Sequence, residues 1–228
     1  MTHIVHPYSH RLGIIRDWKS RWFGKKDNFV DLLRADVLVR SFLTKKLRGM
    51  YVSLIEIERS EKQYRIAIHT SRPGMLIGRG GDGIEKLKLA LKKEMFRKKI
   101  IVPQDVKLDI VEVSNPEANA AIVAAMVSEG IEKRLPFRRV LKMTVEKVMA
   151  NREVKGVRIA VSGRLGGAEM ARREEMKRGG IPLQTLRADV DFAREKAHMT
   201  YGVIGIKVWI YRGMKFDTAT KSGGKNSN

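Results

Sequence analysis

The chain has 228 residues, 43% of them hydrophobic, and is long enough for one large domain or two small domains, each with its own core. Lys and Arg number 46 against 25 Asp and Glu, and the formal net charge of +21 destabilises a compact fold by self-repulsion unless DNA, RNA or an anionic membrane neutralises it. The absence of cysteine excludes disulfides, cysteine zinc sites and thiol nucleophiles, and it suits a reducing compartment.

The first part of the chain predicts a basic arm, a helix and two strands. Residues 1–27 mix Arg, Lys, Trp and Gly without periodicity, which predicts a basic arm. A helical pattern follows over residues 28–48. The apolar residues near one face of this helix are Phe29, Leu32, Leu33, Val37 and Phe42. Residues 51–59 and 64–70 predict two strands, because apolar and polar residues alternate along the second of them.

A glycine loop follows the second strand. The apolar residues 73–77 predict a short turn of helix, and Gly78-Arg79-Gly80-Gly81 predicts a loop before the next helix. We expect Asp82 to cap that helix, with Glu85 three residues later in the arrangement of a capping box. Residues 106–110 alternate again and predict the last strand of this half.

The second half predicts two helices followed by a sheet. Asn115-Pro116 is a favourable helix start, with Asn as the cap and Pro at the first helical position. A second helix is predicted from residue 137 to about residue 152. Three strands are then predicted, over residues 157–162, 183–191 and 202–211.

These elements predict an α+β protein with two domains. We expect a basic N-terminal arm over residues 1–27 and a first domain over residues 28–113. A C-terminal α/β domain over residues 114–213 has two helices packed on a mainly antiparallel sheet. The tail, residues 214–228, is rich in Lys, Gly, Ser and Asn and is predicted to be disordered.

The glycine loop permits three interpretations. The string from Gly78 to Gly83 satisfies GxGxxG, but a dinucleotide-binding fold needs these glycines directly after a strand, and residues 73–77 intervene. An ordinary glycine-rich connection between helices needs no ligand. A GxxG loop between two short helices beside a sheet is how KH domains clamp single-stranded nucleic acid, since glycine lets the backbone approach phosphates. The basic flanks favour the KH interpretation, with RNA-binding residues Gly78, Arg79, Gly80 and Gly81.

Two further basic segments are candidate contacts to nucleic acid. Arg138, Arg139 and Lys142 project from one side of the helix that begins near residue 137. The residues alone leave two interpretations about even, a solvated helix face or a surface that holds a phosphate backbone. The other segment contains several glycines, and we expect a loop that becomes ordered against a partner. Its basic residues are Arg164, Arg172, Arg173, Lys177 and Arg178.

Several long motifs carry a resemblance to a known family. They are SGRLGGAEMAR at residues 162–172, PLQTLRAD at residues 182–189 and YGVIGIKVW at residues 201–209, with VHP and RLGI near the start. Over about residues 5–213 the chain resembles the bacterial-type family of small-subunit ribosomal protein number three. The resemblance implies a prokaryotic-type (type II) KH domain and then a C-terminal α/β domain, in the head of the small ribosomal subunit.

The resemblance also implies partners and roles for basic residues. Members of the family bind small-subunit ribosomal RNA, contact small-subunit proteins ten and fourteen, and lie where messenger RNA enters, beside proteins four and five. Basic residues there assist messenger unwinding, and the matching positions are Arg138, Arg139 and Lys142. Arg11, with the basic residues of the segment from Arg164 to Arg178, is expected to contact ribosomal RNA.

Two other classes of function compete with this one. A free KH-containing regulator would bind many RNAs transiently, but it would not need the C-terminal motifs. An enzyme would need an acid–base partner for Asp189 and Asp191, which share a strand face, and a structural salt-bridge role is expected instead. No run approaches the roughly 18 apolar residues of a membrane span. We predict a cytoplasmic, non-enzymatic protein without metal, cofactor or membrane partner.

Overall fold

The computed structural model describes residues 6–60, 63–98 and 105–216. The helices of the first half are α1 (Pro7–His10), α2 (Lys26–Lys46), α3 (Pro73–Ile77) and α4 (Asp82–Arg97). Its strands are β1 (Ser20–Arg21), β2 (Val52–Arg59), β3 (Gln63–Thr70) and β4 (Asp105–Glu112). The second half contains α5 (Ala120–Glu132), α6 (Phe137–Met149), β5 (Gly156–Gly163), β6 (Arg172–Gly179), β7 (Ala188–Met199) and β8 (Gly202–Met214). The predicted disordered tail lies outside the described residues from residue 217 onward.

The first half forms one sheet with helices on one face. The strand order is β1-β2-β3-β4, with β2 and β3 antiparallel and the two outer pairs parallel. Tyr64, Ile66 and Ile68 of β3 are buried, which confirms the alternation predicted for this strand. They pack in one core with residues of α2 and with Leu91 and Met95 of α4.

The face of α2 that packs on this core differs from the predicted one. Its buried apolar residues, Ala35, Val39 and Leu43, lie four positions apart, and Leu47 just after the helix continues the series. Phe29, Leu33 and Val37 of the predicted stripe are instead 47%, 45% and 58% exposed. That prediction was wrong because apolar residues occur on more than one side of α2, and periodicity alone cannot tell which side meets the sheet.

The second half forms an antiparallel sheet in the order β6-β5-β8-β7, and α5 and α6 pack on one of its faces. Alternate residues of β8, from Ile204 to Ile210, are buried against Val127 of α5 and Val145 of α6. The predicted α+β class, with two helices on a mainly antiparallel sheet in the second half, is therefore confirmed.

The cap of α5 lies four residues later than predicted. Asn115 and Pro116 open a short 3-10 turn, and the helix itself begins after Asn119. The side-chain oxygen of Asn119 accepts hydrogen bonds from the backbone N–H groups of Ala121 and Ile122. Its amide group donates to the hydroxyl of Ser53 at 2.5 Å, so the cap also ties α5 to the first sheet.

The segment predicted as a basic loop is largely the strand β6. It pairs with β5 along its whole length, from Gly179 opposite Gly156 to Arg172 opposite Gly163. Arg, Lys and Glu dominate the strand, so its sequence carries no run of alternating apolar residues. The loop prediction was wrong because backbone pairing with β5, which no local pattern reports, holds this segment extended.

The N-terminal arm is attached to both halves of the molecule. α1 packs on β7 in the second sheet, and β1 pairs in parallel with β2 in the first.

The strand predicted over residues 183–191 begins only at Ala188. Before it, Ile181 and Leu183 pack against Trp209 on the sheet face opposite α5 and α6.

Arg11 joins the arm to residues 181–188, the segment that crosses this face of the second sheet before β7, and it is fully buried. Its Nε donates to the carbonyl of Ala188 at 2.6 Å, and its Nη1 donates to the carbonyl of Pro7 at 3.0 Å. Its Nη2 donates to three carbonyls, those of Pro182, Leu183 and Thr185. Burial lowers the pKa of Arg11, yet an arginine stays protonated at neutral pH. The prediction that Arg11 contacts RNA was wrong, because all three guanidinium nitrogens bind the protein's own backbone.

Close packing of α3 on α4 makes a specific demand at position 83. A Cβ there would lie 2.3 Å from the carbonyl oxygen of Leu76 and 2.9 Å from that of Ile77. At Gly74, in α3, a Cβ would meet nothing within 4 Å. Gly83 is therefore required by helix packing, whereas Gly74 is not.

We expect Arg11→Lys to lower the free energy of unfolding by about 2 kcal/mol or more, because an ammonium group cannot reproduce the forked donor that satisfies these carbonyls. Chemical denaturation of the full chain measures the change. Arg21→Lys is the control, at a half-exposed ion pair with Asp17, and should cost less than about 0.5 kcal/mol. Equal effects of the two substitutions would contradict the anchoring role of Arg11.

We expect Gly83→Ala to destabilise the protein by about 1–3 kcal/mol, although alanine normally stabilises a helix interior by about 1 kcal/mol relative to glycine. The reversed sign follows from the overlap of the new methyl group with the backbone of α3. Gly74→Ala, with open space around it, should be neutral or stabilising. Thermal denaturation of both variants tests the pair, and a stabilised Gly83→Ala protein would refute the close approach of α3 and α4.

Candidate nucleic-acid interface

The glycine loop connects α3 to α4 and presents its backbone to solvent. The φ angles are 71° at Gly78, 62° at Gly80 and 91° at Gly81, in the left-handed region that side chains disfavour. Arg79 is exposed at the tip of the loop. The N–H of Asp82, the first residue of α4, donates to the carbonyl of Arg79. No side chain accepts a hydrogen bond at the α4 cap, so the N–H groups that follow Asp82 can meet a phosphate oxygen.

The capping box predicted at the start of α4 is wrong. Gly81 occupies the cap position, and Asp82 already lies in the first turn of the helix together with Glu85. Both carboxylates lie near the positive end of the helix dipole and stabilise the helix there. Neither of them accepts a cap hydrogen bond from the backbone N–H groups.

Apolar residues next to the loop extend the candidate surface, and sequence reasoning did not single them out. α3 lies against β4, and these elements expose Met75, Ile77 and Val111 by 56%, 37% and 39%. Exposed apolar side chains beside a basic loop provide a surface on which unpaired bases can leave water. The signal was present at residues 73–77, because a helix of five residues cannot bury all of its sides.

α6 supports the second basic site. Its buried side consists of Val140, Leu141, Val145 and Val148, which fix the helix on the sheet. Arg138, Arg139 and Lys142, the predicted basic residues, all lie on the exposed side. The sequence therefore identified correctly which residues of α6 point away from the core.

The three cations of α6 differ in their surroundings. Arg138 binds Glu174 of β6 through two hydrogen bonds of 3.1 and 3.2 Å. These bonds lower the pKa of Glu174 and raise that of Arg138, so both groups stay charged. Within the described residues Arg139 and Lys142 make no ion pair, and their charges are free to meet a phosphate.

The strand alternation of β6 divides the predicted basic residues between two faces of the sheet. Arg172 and Arg178 stand opposite Gly163 and Val157, on the side of α6. Arg172 lies over the ring of Phe137, at 5.6 Å, and so adjoins the basic side of α6. Arg173 and Lys177 project from the opposite face.

Arg164 is half-buried and holds the turn that follows β5. It donates to the carbonyls of Ala168 at 2.9 Å, Tyr201 at 3.3 Å and Gly167 at 3.4 Å. A contact of Arg164 with RNA, as predicted, would therefore use a guanidinium group that already binds this turn.

The two aspartates of β7 form structural ion pairs, as predicted. Asp189 binds Arg16 at 2.6 Å and Lys215 at 3.3 Å. Asp191 binds Arg212 at 3.0 Å and also accepts from the backbone N–H of Ala120 at the start of α5. No helix in the described part of the chain is long and apolar enough to span a membrane.

Two family models match the chain in the order of its two sheets. Residues 38–118 match the family described as KH domain. Residues 127–210 match the family described as ribosomal protein S3, C-terminal domain. The glycine loop falls in the first match, and the exposed cations of α6 and β6 fall in the second.

Curated relatives match nearly the whole chain. It is 47% identical over 209 residues to small ribosomal subunit protein uS3 of Clostridium perfringens (strain SM101 / Type A), a match that covers 92% of this chain and 91% of the relative. The uS3 proteins of Clostridium botulinum (strain Okra / Type B1) and Clostridium novyi (strain NT) are each 46% identical over the same length. These matches cover nearly the whole chain, and the chain therefore belongs to the bacterial-type uS3 family of small-subunit ribosomal proteins.

Proposed function

We propose that this protein is a structural constituent of the small ribosomal subunit that binds small-subunit ribosomal RNA in the head and lines the path of entering messenger RNA. The observation that carries the proposal is the match to uS3 proteins over 92% of the chain, which includes the second domain as well as the KH domain. A free KH regulator needs the first domain alone. The protein acts by position and charge and not as an enzyme: contacts to the RNA backbone supply affinity, and the folded RNA supplies specificity.

The protein neighbours belong to the same proposal. We place small-subunit proteins ten and fourteen beside this chain, with proteins four and five near the messenger path. Exposed apolar residues on one side of α2 support protein neighbours, because Val30 and Val37, two turns apart, are 69% and 58% exposed. Clustered apolar exposure of this kind marks interaction surfaces.

Sedimentation tests the proposal directly. A cell lysate is resolved on a sucrose gradient, and this protein is quantified against established small-subunit proteins in each fraction. We expect one copy per small subunit, retained through a high-salt wash. Substoichiometric signal near the top of the gradient would favour a free regulator instead.

The glycine loop is proposed to hold an RNA backbone through the amide groups of α4 and the charge of Arg79. Replacing Arg79 and Gly80 by Asp should weaken RNA binding at least about tenfold at moderate salt, because carboxylates would face phosphates. Filter binding to a small-subunit ribosomal RNA transcript across a salt series measures the change.

The control carries the same change of charge farther along α4. Lys93 and Phe96 are exposed, and replacing both by Asp removes three positive charge equivalents more than 15 Å from the loop, at about 1.5 Å per helical residue. Its affinity should fall much less. If both double variants lose affinity equally, the loop is not a specific contact.

The exposed side of α6 is proposed to meet messenger RNA. Replacing Arg138, Arg139 and Lys142 by Ala should leave subunit assembly intact and slow translation through stable messenger hairpins. Arg139 and Lys142 should account for most of the effect, because Arg138 is already bound to Glu174.

The measurement is the elongation rate on messengers with and without a hairpin, in ribosomes that contain each variant. Lys147→Ala with Arg152→Ala is the control, since both cations are exposed and lie at or beyond the other end of α6. Hairpin messengers read at the normal rate by the triple variant would show that this side of α6 is merely solvated.

A further inference from the structure

The face of the second sheet that points away from α5 and α6 carries its side chains in cross-strand rows. Two adjacent rows contain no large apolar residue and are rich in cations. We call them the outer cationic face. The first row consists of Glu175, Ala160, Lys207 and Arg194, and the second consists of Arg173, Ser162, Gly205 and Lys196.

The charge of this face is not balanced within the protein. Arg194, Lys196 and Lys207 are exposed, and none of them makes an ion pair within the described parts of the chain. Lys207 lies directly opposite Arg194, an arrangement of like charges that destabilises a sheet. Glu175, the carboxylate of the face, already binds Arg173 at 3.0 Å.

The effect of this charge reaches a neighbouring side chain. His6 packs edge-on against Phe192, at 4.7 Å between ring centroids, and Arg194 lies over the ring of the same Phe192 at 5.3 Å. Burial lowers the pKa of His6, and the positive charges of Arg194 and Lys19 lower it further. The positive field of Arg194 therefore extends beyond its own row to the arm.

The shape of the face suits an extended ligand. The middle of the face is a shallow depression, because the small residues Ser162 and Gly205 lie opposite each other. A Cβ at Gly205 would lie only 3.2 Å from the Ser162 hydroxyl oxygen. The cations stand on either side of this depression. Residues 181–188 cover the neighbouring part of the sheet around Trp209 and Ala160, while Ser162, Arg194, Lys196 and Lys207 remain exposed.

We propose that the outer cationic face is an additional RNA-binding surface, which holds the sugar-phosphate backbone of small-subunit ribosomal RNA through Arg194, Lys196 and Lys207. This inference rests on the proposed function. The surface is separate from the messenger side of α6, because the two lie on opposite faces of the same sheet.

A nucleic-acid backbone fits this surface better than the other anionic partners. A membrane-binding surface needs large apolar side chains that enter the lipid, and the two rows contain none. A protein interface gains most of its energy from buried aromatic or other large anchors, which the rows also lack. The Cα atoms of Arg194 and Lys196 lie about 6.6 Å apart along β7, and the Cα of Lys207 lies about 5 Å across from that of Arg194. At these spacings the long side chains can reach successive phosphates.

The test uses the full-length protein and a transcript of small-subunit ribosomal RNA. Arg194, Lys196 and Lys207 are replaced together by Gln, which keeps the aliphatic stems. The slope of log affinity against log salt should fall by about 2, because each single-strand phosphate contact contributes about 0.7. Affinity at about 0.1 M salt should fall about a hundredfold for the same reason. The matched control replaces Lys45, Lys46 and Lys93, which are exposed on α2 and α4, by Gln.

Thermal melting of the free proteins separates a role in binding from a role in folding. The triple variant should melt at the same temperature as the wild type or higher, because unpaired like charges have been removed. A lower melting temperature with an unchanged salt slope would show that these cations serve the fold, and this would overturn the proposal.

The binding results have equally distinct meanings. Loss of affinity in the triple variant and not in the control supports the outer cationic face. Equal behaviour of the two variants overturns it and leaves the proposed function standing. A wild-type protein that does not bind the transcript overturns both. Normal transcript binding by the triple variant, with loss of that variant from small subunits, would identify a protein as the partner instead.

Discussion

The attachment of the N-terminal arm to the second domain depends on the burial of one guanidinium group. Arg11 gives its hydrogen bonds to carbonyls of α1, of the segment that crosses the second sheet and of the first residue of β7. A buried charge is tolerated only where such donors are satisfied. The arm is thereby fixed on the second domain, and a few residues later β1 joins the first sheet. Further contacts connect the domains, including the Asn119–Ser53 bond and an ion pair between Arg48 and Glu132.

The excess of positive charge becomes informative once the acidic residues are assigned. In the described structure Asp36 binds Arg40, Asp189 binds Arg16 and Asp191 binds Arg212. The first pair lies within α2, and the other two join β7 to the arm and to β8. Much of the positive charge that is left over therefore lies on exposed surfaces, at the glycine loop, on α6 and on the outer face of the second sheet. A net charge of +21 thus has a spatial pattern that composition alone does not give.

The sequence predicted those parts of the fold whose side chains report their own environment. Alternation identified β3 and β8, and the glycines identified the loop, because burial and a left-handed φ restrict residue type locally. The sequence did not predict the features that depend on residues far away along the chain. β6 is a strand because β5 lies beside it, and α2 turns Val39 to the core because the sheet is there. Arg11 is the clearest case, since an arginine in a basic arm has every local sign of exposure. The cations of α6 were found because an amphipathic helix separates its buried and exposed residues in sequence.

β6 connects the two cationic surfaces of the second domain. Because side chains alternate along a strand, Arg172 lies on the α6 side and Arg173, its neighbour, lies on the outer face. Glu174 and Glu175 repeat the division, since the first binds Arg138 of α6 and the second binds Arg158 of β5. The two surfaces therefore share the backbone of β6 and lie on opposite faces of one sheet. RNA held on the outer face would fix the orientation of α6 without any hinge between them. The proposed mechanism, in which contacts position RNA, depends on this shared backbone.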